Sequence, residues 1–225
     1  MKEIIVFLPM RKGSQRIKHK NIKDFADIKG GLTFIKISQL LKVKRISKII
    51  VSTNDEEVKL IASSFNNPKI IIDNRAENLA SSETSTDDLI KYVPSIIDNA
   101  IVLWTHVTSP FIKEDIYEKA IEMFVKNKGN DSLMTVTKMQ KFIWNKSEPI
   151  TYDRKVEKWP RTQTIEPVYE INSGIFLTNI EIYKKENDRI GNNPFFYELN
   201  EKESFDIDWE EDFEIAEILW KKYNG

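Results

Sequence analysis

Two groups of charged side chains, near opposite ends of the sequence, have the types and spacing to handle a nucleotide polyphosphate. The first is the basic segment 11–21, which reads R-K-G-S-Q-R-I-K-H-K-N. In it Gly13 lets the backbone approach a ligand closely, the Arg and Lys side chains supply positive charge, and Ser14 adds a hydrogen-bond donor. A triphosphate carries about four negative charges, so several converging cations suit it. The residue order is neither a P-loop nor G-x-G-x-x-G, and a solvated basic loop is the competing interpretation.

The second group is the pair Asp206 and Asp208, within the segment E-S-F-D-I-D at 203–208. If that segment is a strand, both carboxylates point to the same face. Two hard oxygen ligands beside a polyphosphate suit Mg²⁺, which takes a few carboxylates together with phosphate and water. In the competing interpretation Asp208 is the N-cap of the last helix, and Glu211 completes a capping box. Asp206 has no capping role available, so the pair favours a metal site.

Apolar runs alternate with amphipathic segments along most of the chain, which predicts an α/β fold. We predict strands at 3–8, 48–53, 69–72, 100–104, 133–137, 174–178 and 203–208. We predict helices at 33–43, after a cap at Asn54 or Asp55, at 84–98, at 114–126 and at 210–223. Strands that are apolar on both faces indicate a Rossmann-like, mainly parallel sheet with helices on both faces. Ligands bind such sheets beyond the carboxyl ends of the strands, so the loops after strands one, two and four should carry function.

The pattern weakens between residues 139 and 172, where aromatic residues and prolines are interspersed with polar ones. This stretch has too many aromatics for a disordered linker. We interpret it as an excursion from one nucleotide-binding domain that spans residues 1–225. Its aromatics are of the kind that concentrate in interface cores.

Composition excludes several classes of protein and site. The 225 residues include 34 basic and 35 acidic side chains, a formal net charge of −1, which argues against a dedicated nucleic-acid binder. Cysteine is absent, which excludes disulfides, thiolate nucleophiles and Cys-based zinc sites. No run approaches the roughly 20 apolar residues that a membrane span needs. The short apolar run at the N-terminus lacks the length of a signal peptide, so a cytoplasmic protein without membrane contact is expected.

Five motifs together resemble the acylneuraminate cytidylyltransferase family, which includes the CMP-sialic acid synthetases. The basic segment provides R-x-G-S-x-R-I-x-x-K-N after an apolar strand, and V-S-T-N-D-E-E follows the second strand. The others are R-A-E-N-L-A-S-S at 75–82, T-S-P at 108–110 and S-F-D-I-D-W-E-E-D-F-E-I-A-E at 204–217. Each motif is weak alone, but five in order over most of the chain are specific.

The resemblance implies a nucleotide site with assigned roles. Lys20 would neutralise charge at the α-phosphate, and Asn21 would contact the ribose. The triphosphate would be held by Arg11, Gly13, Ser14, Arg16 and Lys20, and cytosine would be read by Arg75, the backbone near Ala80 and the hydroxyl of Ser82. Without the resemblance, Arg75 would be read as a surface residue in an ion pair. The catalytic residues would be Arg11, Lys20 and Asp208, with Mg²⁺ on Asp206 and Asp208.

Three positions depart from the pattern of the family. Gln15 stands where the family has Lys, although Arg16 lies beside it. His106, in T-H-V-T-S-P, stands where the family has a Gln that contacts the sugar; it would bind the sugar or be a satisfied loop histidine. Glu170, in Y-E-I-N-S-G, stands where an Arg is expected. A carboxylate there would repel an acidic sugar unless Glu170 points away, or the sugar presents an amine or a different ring decoration at that place.

The remaining sugar contacts are also implied by the resemblance. Arg161 and Gln163, in W-P-R-T-Q, would face the sugar acid. Phe195 and Phe196 would pack on its acyl group, although an aromatic pair is more often part of a core. In this family the excursion, here residues 139–172, crosses to a second subunit and completes its site. The resemblance therefore implies a homodimer with the excursion at its interface.

These assignments predict that CMP is transferred from CTP to the anomeric hydroxyl of an acidic, sialic-acid-like sugar, with release of pyrophosphate. Three alternatives stay open. The acceptor is a different acid or hydroxyl, such as 3-deoxy-octulosonate; the protein is a glycosyltransferase that uses an aspartate pair for metal; or it is a catalytically silent nucleotide-binding module. All four interpretations require a nucleotide cleft between the basic loop and the C-terminal carboxylates.

Overall fold

The computed structural model describes residues 2–224, which form a seven-stranded sheet with helices on both faces. The strands are β1 (Ile4–Met10), β2 (Lys48–Thr53), β3 (Ile70–Asn74), β4 (Ile101–Thr105), β5 (Ser132–Met139), β6 (Val168–Asn179) and β7 (Pro194–Leu199). The helices are α1 (Gly31–Lys42), α2 (Glu56–Ser64), α3 (Thr86–Ile96), α4 (Glu114–Lys126), α5 (Ile180–Glu186) and α6 (Glu210–Asn224). The α/β, Rossmann-like fold is therefore confirmed.

The strand order is β3-β2-β1-β4-β6-β5-β7. β6 runs antiparallel to both of its neighbours, and the remaining pairs are parallel. From β1 the chain moves outward on one side through β2 and β3, then returns to the other side of β1 with β4. The order thus reverses between β1 and β4, which is the point where such sheets bind ligands.

Alternate residues of β1 enter two separate apolar clusters, one on each face of the sheet. Ile4, Val6 and Leu8 pack with residues of α1, α2, α4 and α6, whereas Ile5 and Phe7 pack with residues of α3 and α5. This is the period of two expected for a strand that is covered on both sides. Within residues 2–224, no helix has the combined length and apolarity to span a bilayer.

The turn between β2 and α2 settles the predicted choice of helix cap. The side chain of Asp55 accepts from the backbone N–H of Glu57, which makes Asp55 the N-cap of α2. Asn54 instead accepts from the N–H of Lys12 (2.9 Å), in the basic loop. This bond connects the loop after β1 to the loop after β2. Both loops lie at the edge of the sheet where the site is predicted.

The last predicted strand is wrong. Residues 203–208 are turn and irregular backbone, and the last strand is β7, which contains Phe195 and Phe196. The segment alternates polar and apolar residues like a half-buried strand, but its backbone forms hydrogen bonds with groups outside the sheet. The N–H of Ile207 donates to the carbonyl of Thr108 (2.9 Å), and its carbonyl accepts from Lys20 Nζ (2.8 Å). Ile207 is nevertheless fully buried, so the alternation reflects burial without strand pairing.

The excursion is narrower than predicted. Because β5 extends to Met139 and β6 begins at Val168, the segment outside the sheet is 140–167. It contains one short 3-10 turn, Thr162–Thr164, and otherwise turns, bends and an isolated β-bridge. Many of its apolar side chains are exposed, including Trp144 at 44% and Trp159 at 71%. It thus presents an apolar surface beside the sheet.

Candidate functional site

The basic loop after β1 folds back on itself around a left-handed glycine. Gly13 has a φ of +77°, and the space that a Cβ would enter is open, so its backbone conformation and not crowding favours glycine. Arg11 Nη1 donates to the carbonyl of Gly13 (3.2 Å), and Asn21 Nδ2 donates to the carbonyl of Arg11 (3.2 Å). These contacts organise the loop at the carboxyl end of β1.

A cavity of about 310 Å³, here called the first cavity, opens at the carboxyl ends of β1 and β4. It therefore lies at the reversal of strand order. The predicted site residues that line it are Arg11, Ser14, Arg16, Lys20, Asn21, His106 and Asp208. With three cations on its walls, the first cavity suits a polyphosphate.

The C-terminal carboxylate segment meets the basic loop at this cavity, as the sequence predicted. Asp208 Oδ1 lies 2.8 Å from Arg16 Nη1 and 3.8 Å from Lys20 Nζ. Arg16 also stacks over the ring of Trp209, 4.8 Å from its centroid. Burial lowers the pKa of Lys20, and the charges of Asp208 and Asp206 oppose that shift. Lys20 is thus a partly desolvated cation beside two carboxylates.

The start of α6 has a different cap from the one considered for Asp208. The helix begins at Glu210, and the carboxylate of Asp212 accepts from the N–H groups of Asp208 (3.0 Å) and Trp209 (2.8 Å). The side chain of Asp208 pairs with Arg16 instead. Asp208 is therefore available to a ligand, at the cost of its ion pairs.

A second cavity, of about 490 Å³, lies beside the first and shares Asp208 with it. Its charged lining consists of four carboxylates and two lysines, a formal net charge of −2: Lys138, Lys141, Glu170, Glu201, Asp206 and Asp208. Glu170, the residue that departs from the family pattern, therefore does line a cavity. An acidic ligand would be repelled here unless positive charge is added.

The donor set of Asp206 and Asp208 fits Mg²⁺. Although they do not lie on a strand, both line the second cavity, and Asp206 Oδ1 also accepts from Ser109 Oγ (3.3 Å). Within residues 2–224, no cluster of three or more acidic or histidine side chains is placed to hold a metal. Two carboxylates plus phosphate and water is the usual arrangement for Mg²⁺. A divalent cation would also balance the negative charge of the second cavity.

His106 is a neutral hydrogen-bond donor at the wall of the first cavity. Trp104 Nε1 donates to its Nε2 (2.9 Å), so the proton of a neutral ring lies on Nδ1. Burial, and then the positive charges of Arg189, Lys20 and Lys36, lower the pKa of His106 to about 3. His106 is therefore suited to donate a hydrogen bond to a ligand and unsuited to add a charge.

We expect this histidine to destabilise the protein in acid. The unfolded chain protonates His106 near its ordinary pKa of about 6.5, whereas the folded chain does so only near 3. The free energy of unfolding should therefore fall as the pH is lowered from 6.5 towards 3, by at most about 1.4 kcal/mol per pH unit. Urea unfolding at pH 7 and pH 5 should show a larger decrease for the wild type than for His106→Gln, which keeps an acceptor for Trp104. An equal decrease of the unfolding free energy in both proteins would contradict the lowered pKa of His106.

Arg75, the first residue assigned to cytosine, lies behind the lining of the first cavity. Arg75 is 5% exposed, and its Nη2 donates to the carbonyl of Met10 (2.7 Å), at the end of β1. The expectation that it would lie at the surface without the resemblance is wrong. Ala80 is buried and Ser82 is exposed. None of these three side chains lines the first cavity, so cytosine recognition stays a prediction.

None of the residues assigned to the sugar lines the second cavity, although one of them, His106, lines the first. Arg161 and Gln163 are exposed in the excursion. Phe195 packs against one apolar core cluster, and Phe196 contacts Tyr169 edge to face at 5.4 Å. Their sugar contacts stay predictions that depend on a change of position or on a second subunit.

Sequence reasoning missed the lysine beneath the site. Lys36 in α1 is fully buried, whereas the apolar Phe34 on the same helix is 39% exposed. Lys36 lies one helical turn before Leu40, on the apolar face, and this position is the one signal in the sequence. A charged side chain at such a position is usually interpreted as solvent-facing, so the sequence does not indicate that Lys36 is buried.

Comparisons with known proteins agree with this geometry. Residues 5–223 match the family model described as cytidylyltransferase. N-acylneuraminate cytidylyltransferase of Escherichia coli O18:K1:H7 is 27% identical over 229 residues, which are 99% of this chain and 53% of that protein. Pseudaminic acid cytidylyltransferase of Campylobacter jejuni serotype O:2 is 25% identical over 232 residues, 98% of this chain and 97% of that protein. The chain thus spans about half of the first relative and nearly all of the second.

A solved structure shows the same fold. CMP:2-keto-3-deoxy-manno-octonic acid synthetase complexed with CTP has a TM-score of 0.71 at 16% identity, covering 98% of this chain and 99% of its own. Because the family match covers residues 5–223, it includes both the basic loop and the carboxylate segment that meet at the first cavity. The chain therefore belongs to the cytidylyltransferase family and is a nucleotidyltransferase.

Proposed function

We propose that this chain transfers CMP from CTP to the anomeric hydroxyl of an acidic nine-carbon sugar of the sialic acid type and releases pyrophosphate. The observation that carries the proposal is the position of Asp208, which lines both cavities and lies 3.8 Å from Lys20. The two relatives described above act, by their names, on N-acylneuraminate and on pseudaminic acid. CTP would occupy the first cavity and the sugar the second, so that they react beside Asp208.

In the proposed reaction the basic loop holds the triphosphate. Arg11, Ser14 and Arg16 bind its oxygens, Lys20 faces the α-phosphate, and Asn21 contacts the ribose. The hydroxyl oxygen of the sugar forms a bond to the α-phosphorus, the bond from this phosphorus to the bridging oxygen breaks, and pyrophosphate leaves with that electron pair. The hydroxyl proton passes to a base or to solvent.

Charge control is the main contribution of the protein to this chemistry. The cations of the basic loop neutralise the charge that builds on the phosphate oxygens. Mg²⁺ held by Asp206 and Asp208 would add charge neutralisation and lower the pKa of a coordinated hydroxyl. Asp208 would exchange its contact with Arg16 for the metal, which frees Arg16 for phosphate.

The identity of the acceptor depends on Glu170. Its carboxylate adds to the negative charge of the second cavity, so it favours a sugar acid that also carries an amine. The fold is shared with a synthetase for 2-keto-3-deoxy-manno-octonic acid, so this acid belongs among the alternatives. A suitable panel contains nine-carbon acids with and without a free amine, together with the eight-carbon acid.

The proposal is tested in two measurements on the same protein. CTP at 100 times its Kd should raise the unfolding free energy by about 2.7 kcal/mol, or the Tm by about 5–10 °C, whereas ATP should not. Pyrophosphate release from CTP should then depend on one member of the acceptor panel. An equal thermal shift with all four nucleoside triphosphates would overturn the choice of base. Nucleotide binding without pyrophosphate release with any acceptor would favour a silent module, and hydrolysis of a nucleotide sugar would favour a glycosyltransferase.

We also propose that the protein is a homodimer in the cytoplasm, where CTP is available. Exposed apolar side chains of the segment 140–167 support a second copy as its partner. Those exposed by 39–85% are Phe142, Trp144, Ile150, Val156 and Trp159. A dimer would bring Arg161 and Gln163 of one copy towards the site of the other. A monomeric mass at assay concentrations would contradict the dimer, and fractionation of the source cells would test the location.

A further inference from the structure

Lys36 is a buried cation in α1 that the proposed reaction does not use directly. Its Nζ donates to the carbonyl of Ser109 (2.8 Å), the hydroxyl of Tyr117 (2.9 Å) and the carbonyl of Ile112 (3.4 Å). An ammonium group has three donors, and three oxygens surround this one. None of these acceptors is a carboxylate, so Lys36 adds a positive charge that no direct ion pair within residues 2–224 neutralises.

These bonds hold the chain that follows β4, and that chain holds the carboxylate segment. Ser109 Oγ donates to Asp206 Oδ1 (3.3 Å), and the carbonyl of Thr108 accepts from the N–H of Ile207 (2.9 Å). Ser109 is therefore bonded through its carbonyl to Lys36 and through its hydroxyl to Asp206. The path from α1 to the candidate metal ligand consists of two consecutive hydrogen bonds.

The charge of Lys36 acts in the same direction as these bonds. Lys36 is fully buried, so its field is weakly screened by water. Burial lowers the pKa of Lys36 to about 7, and the negative charge of Asp206 opposes that shift. The opposite charges of Lys36 and Asp206 therefore attract each other across the low-dielectric interior.

We propose that Lys36 is a positioning residue that, through Ser109, orients the metal ligand Asp206. The inference rests on the proposed function, because it assigns a divalent cation to Asp206 and Asp208. It goes further by predicting that a residue outside both cavities sets the affinity for that cation. Partners that orient metal ligands typically change metal affinity by about 10- to 100-fold.

Gln39 supplies a matched control on the same helix. It is buried, and its Nε2 donates to the carbonyl of Pro110 (2.7 Å), one residue after Ser109. Gln39 therefore anchors the same stretch of chain, but it carries no charge and bonds neither Ser109 nor Asp206. If Lys36 only stabilises this stretch, Lys36→Met and Gln39→Met should have similar effects on the metal.

The test measures Mn²⁺ binding by electron paramagnetic resonance in the presence of CTP and without acceptor. We expect Lys36→Met and Ser109→Ala each to raise the Kd for Mn²⁺ by about tenfold or more, and Gln39→Met to change it by less than about twofold. The double variant Lys36→Met/Ser109→Ala should bind little more weakly than either single variant, because both changes break one path. In turnover assays, the half-saturating Mg²⁺ concentration should rise while the KM for CTP at saturating Mg²⁺ changes by less than about twofold.

Several results would overturn the inference. The first is a folded Lys36→Met protein whose Kd for Mn²⁺ equals that of the wild type. The second is a Gln39→Met protein whose Kd rises as much as that of Lys36→Met. The third is a double variant in which the losses of Mn²⁺ affinity of the two single variants add. Ser109→Ala removes a single hydroxyl oxygen, so it remains informative if Lys36→Met does not fold. A failure of the proposed function is distinguished by the wild type, which would then bind Mn²⁺ with CTP yet release no pyrophosphate with any acceptor. Absence of Mn²⁺ binding to the wild type would overturn the inference itself.

Discussion

Replacing Lys20 by methionine is expected to lower kcat by about 10²- to 10³-fold, the usual cost of removing one donor from a site where charge develops. Its Nζ lies 2.8 Å from the carbonyl of Ile207 and 3.8 Å from Asp208, and the side chain is only 13% exposed. A cation in such a partly dry position stabilises nearby negative charge more than a solvated one does. Methionine has a similar length but no charge. Steady-state pyrophosphate release at saturating CTP measures the effect.

Lys18→Met is the matched control for this variant. Lys18 lies in the same basic loop but is exposed and does not line the first cavity. Its replacement therefore changes the net charge by the same amount without changing the lining. We expect its kcat to stay within about twofold of the wild type, since an exposed charge is well screened. Equal losses in both variants would mean that the loop acts through its overall charge. A normal kcat in Lys20→Met would show that the reaction does not require Lys20.

The sheet was predictable from local patterns up to β5, and less so beyond it. The apolar runs of β1, β2 and β4 and the periodicity of α4 each define an element within a few residues. The antiparallel insertion of β6 depends on its partners, which no local pattern specifies. No sequence pattern indicates the strand β7, and the resemblance assigns its aromatic pair to the sugar. The alternation of polar and apolar residues at 203–208 is typical of a paired strand, but here it reflects only the burial of Ile207.

In the candidate site, too, features that depend on the local sequence were predictable, whereas features that depend on tertiary contacts were not. The meeting of the basic loop with Asp208 was predictable because loops after parallel strands converge at one edge of the sheet. The proton position on His106 was not, since it depends on the indole of Trp104. The contacts of Lys36 were not predictable either, because its acceptors lie 73 to 81 residues away in sequence. Contacts of this kind are visible only after folding.

The second large effect is expected at the carboxylate pair. Asp208→Asn keeps the size and the hydrogen-bonding oxygen of the side chain but removes its charge. If Asp208 holds Mg²⁺ beside the α-phosphate, kcat should fall by about 10³-fold, and the half-saturating Mg²⁺ concentration should rise. Asp206→Asn should raise the Mg²⁺ requirement in the same direction. Both effects are read from pyrophosphate release across a Mg²⁺ titration.

The choice of asparagine separates the metal role from a helix-capping role. Asparagine is as good an N-cap as aspartate, so a residue that only capped α6 would lose neither stability nor activity in Asp208→Asn. Glu211→Gln is the corresponding control, because it neutralises an exposed acid in the first turn of α6 that lines neither cavity. We expect Glu211→Gln to retain activity and to lose at most about 1 kcal/mol of unfolding free energy through the helix dipole. A fully active Asp208→Asn would disprove the metal assignment, since the basic loop would then face a carboxylate that the reaction does not need.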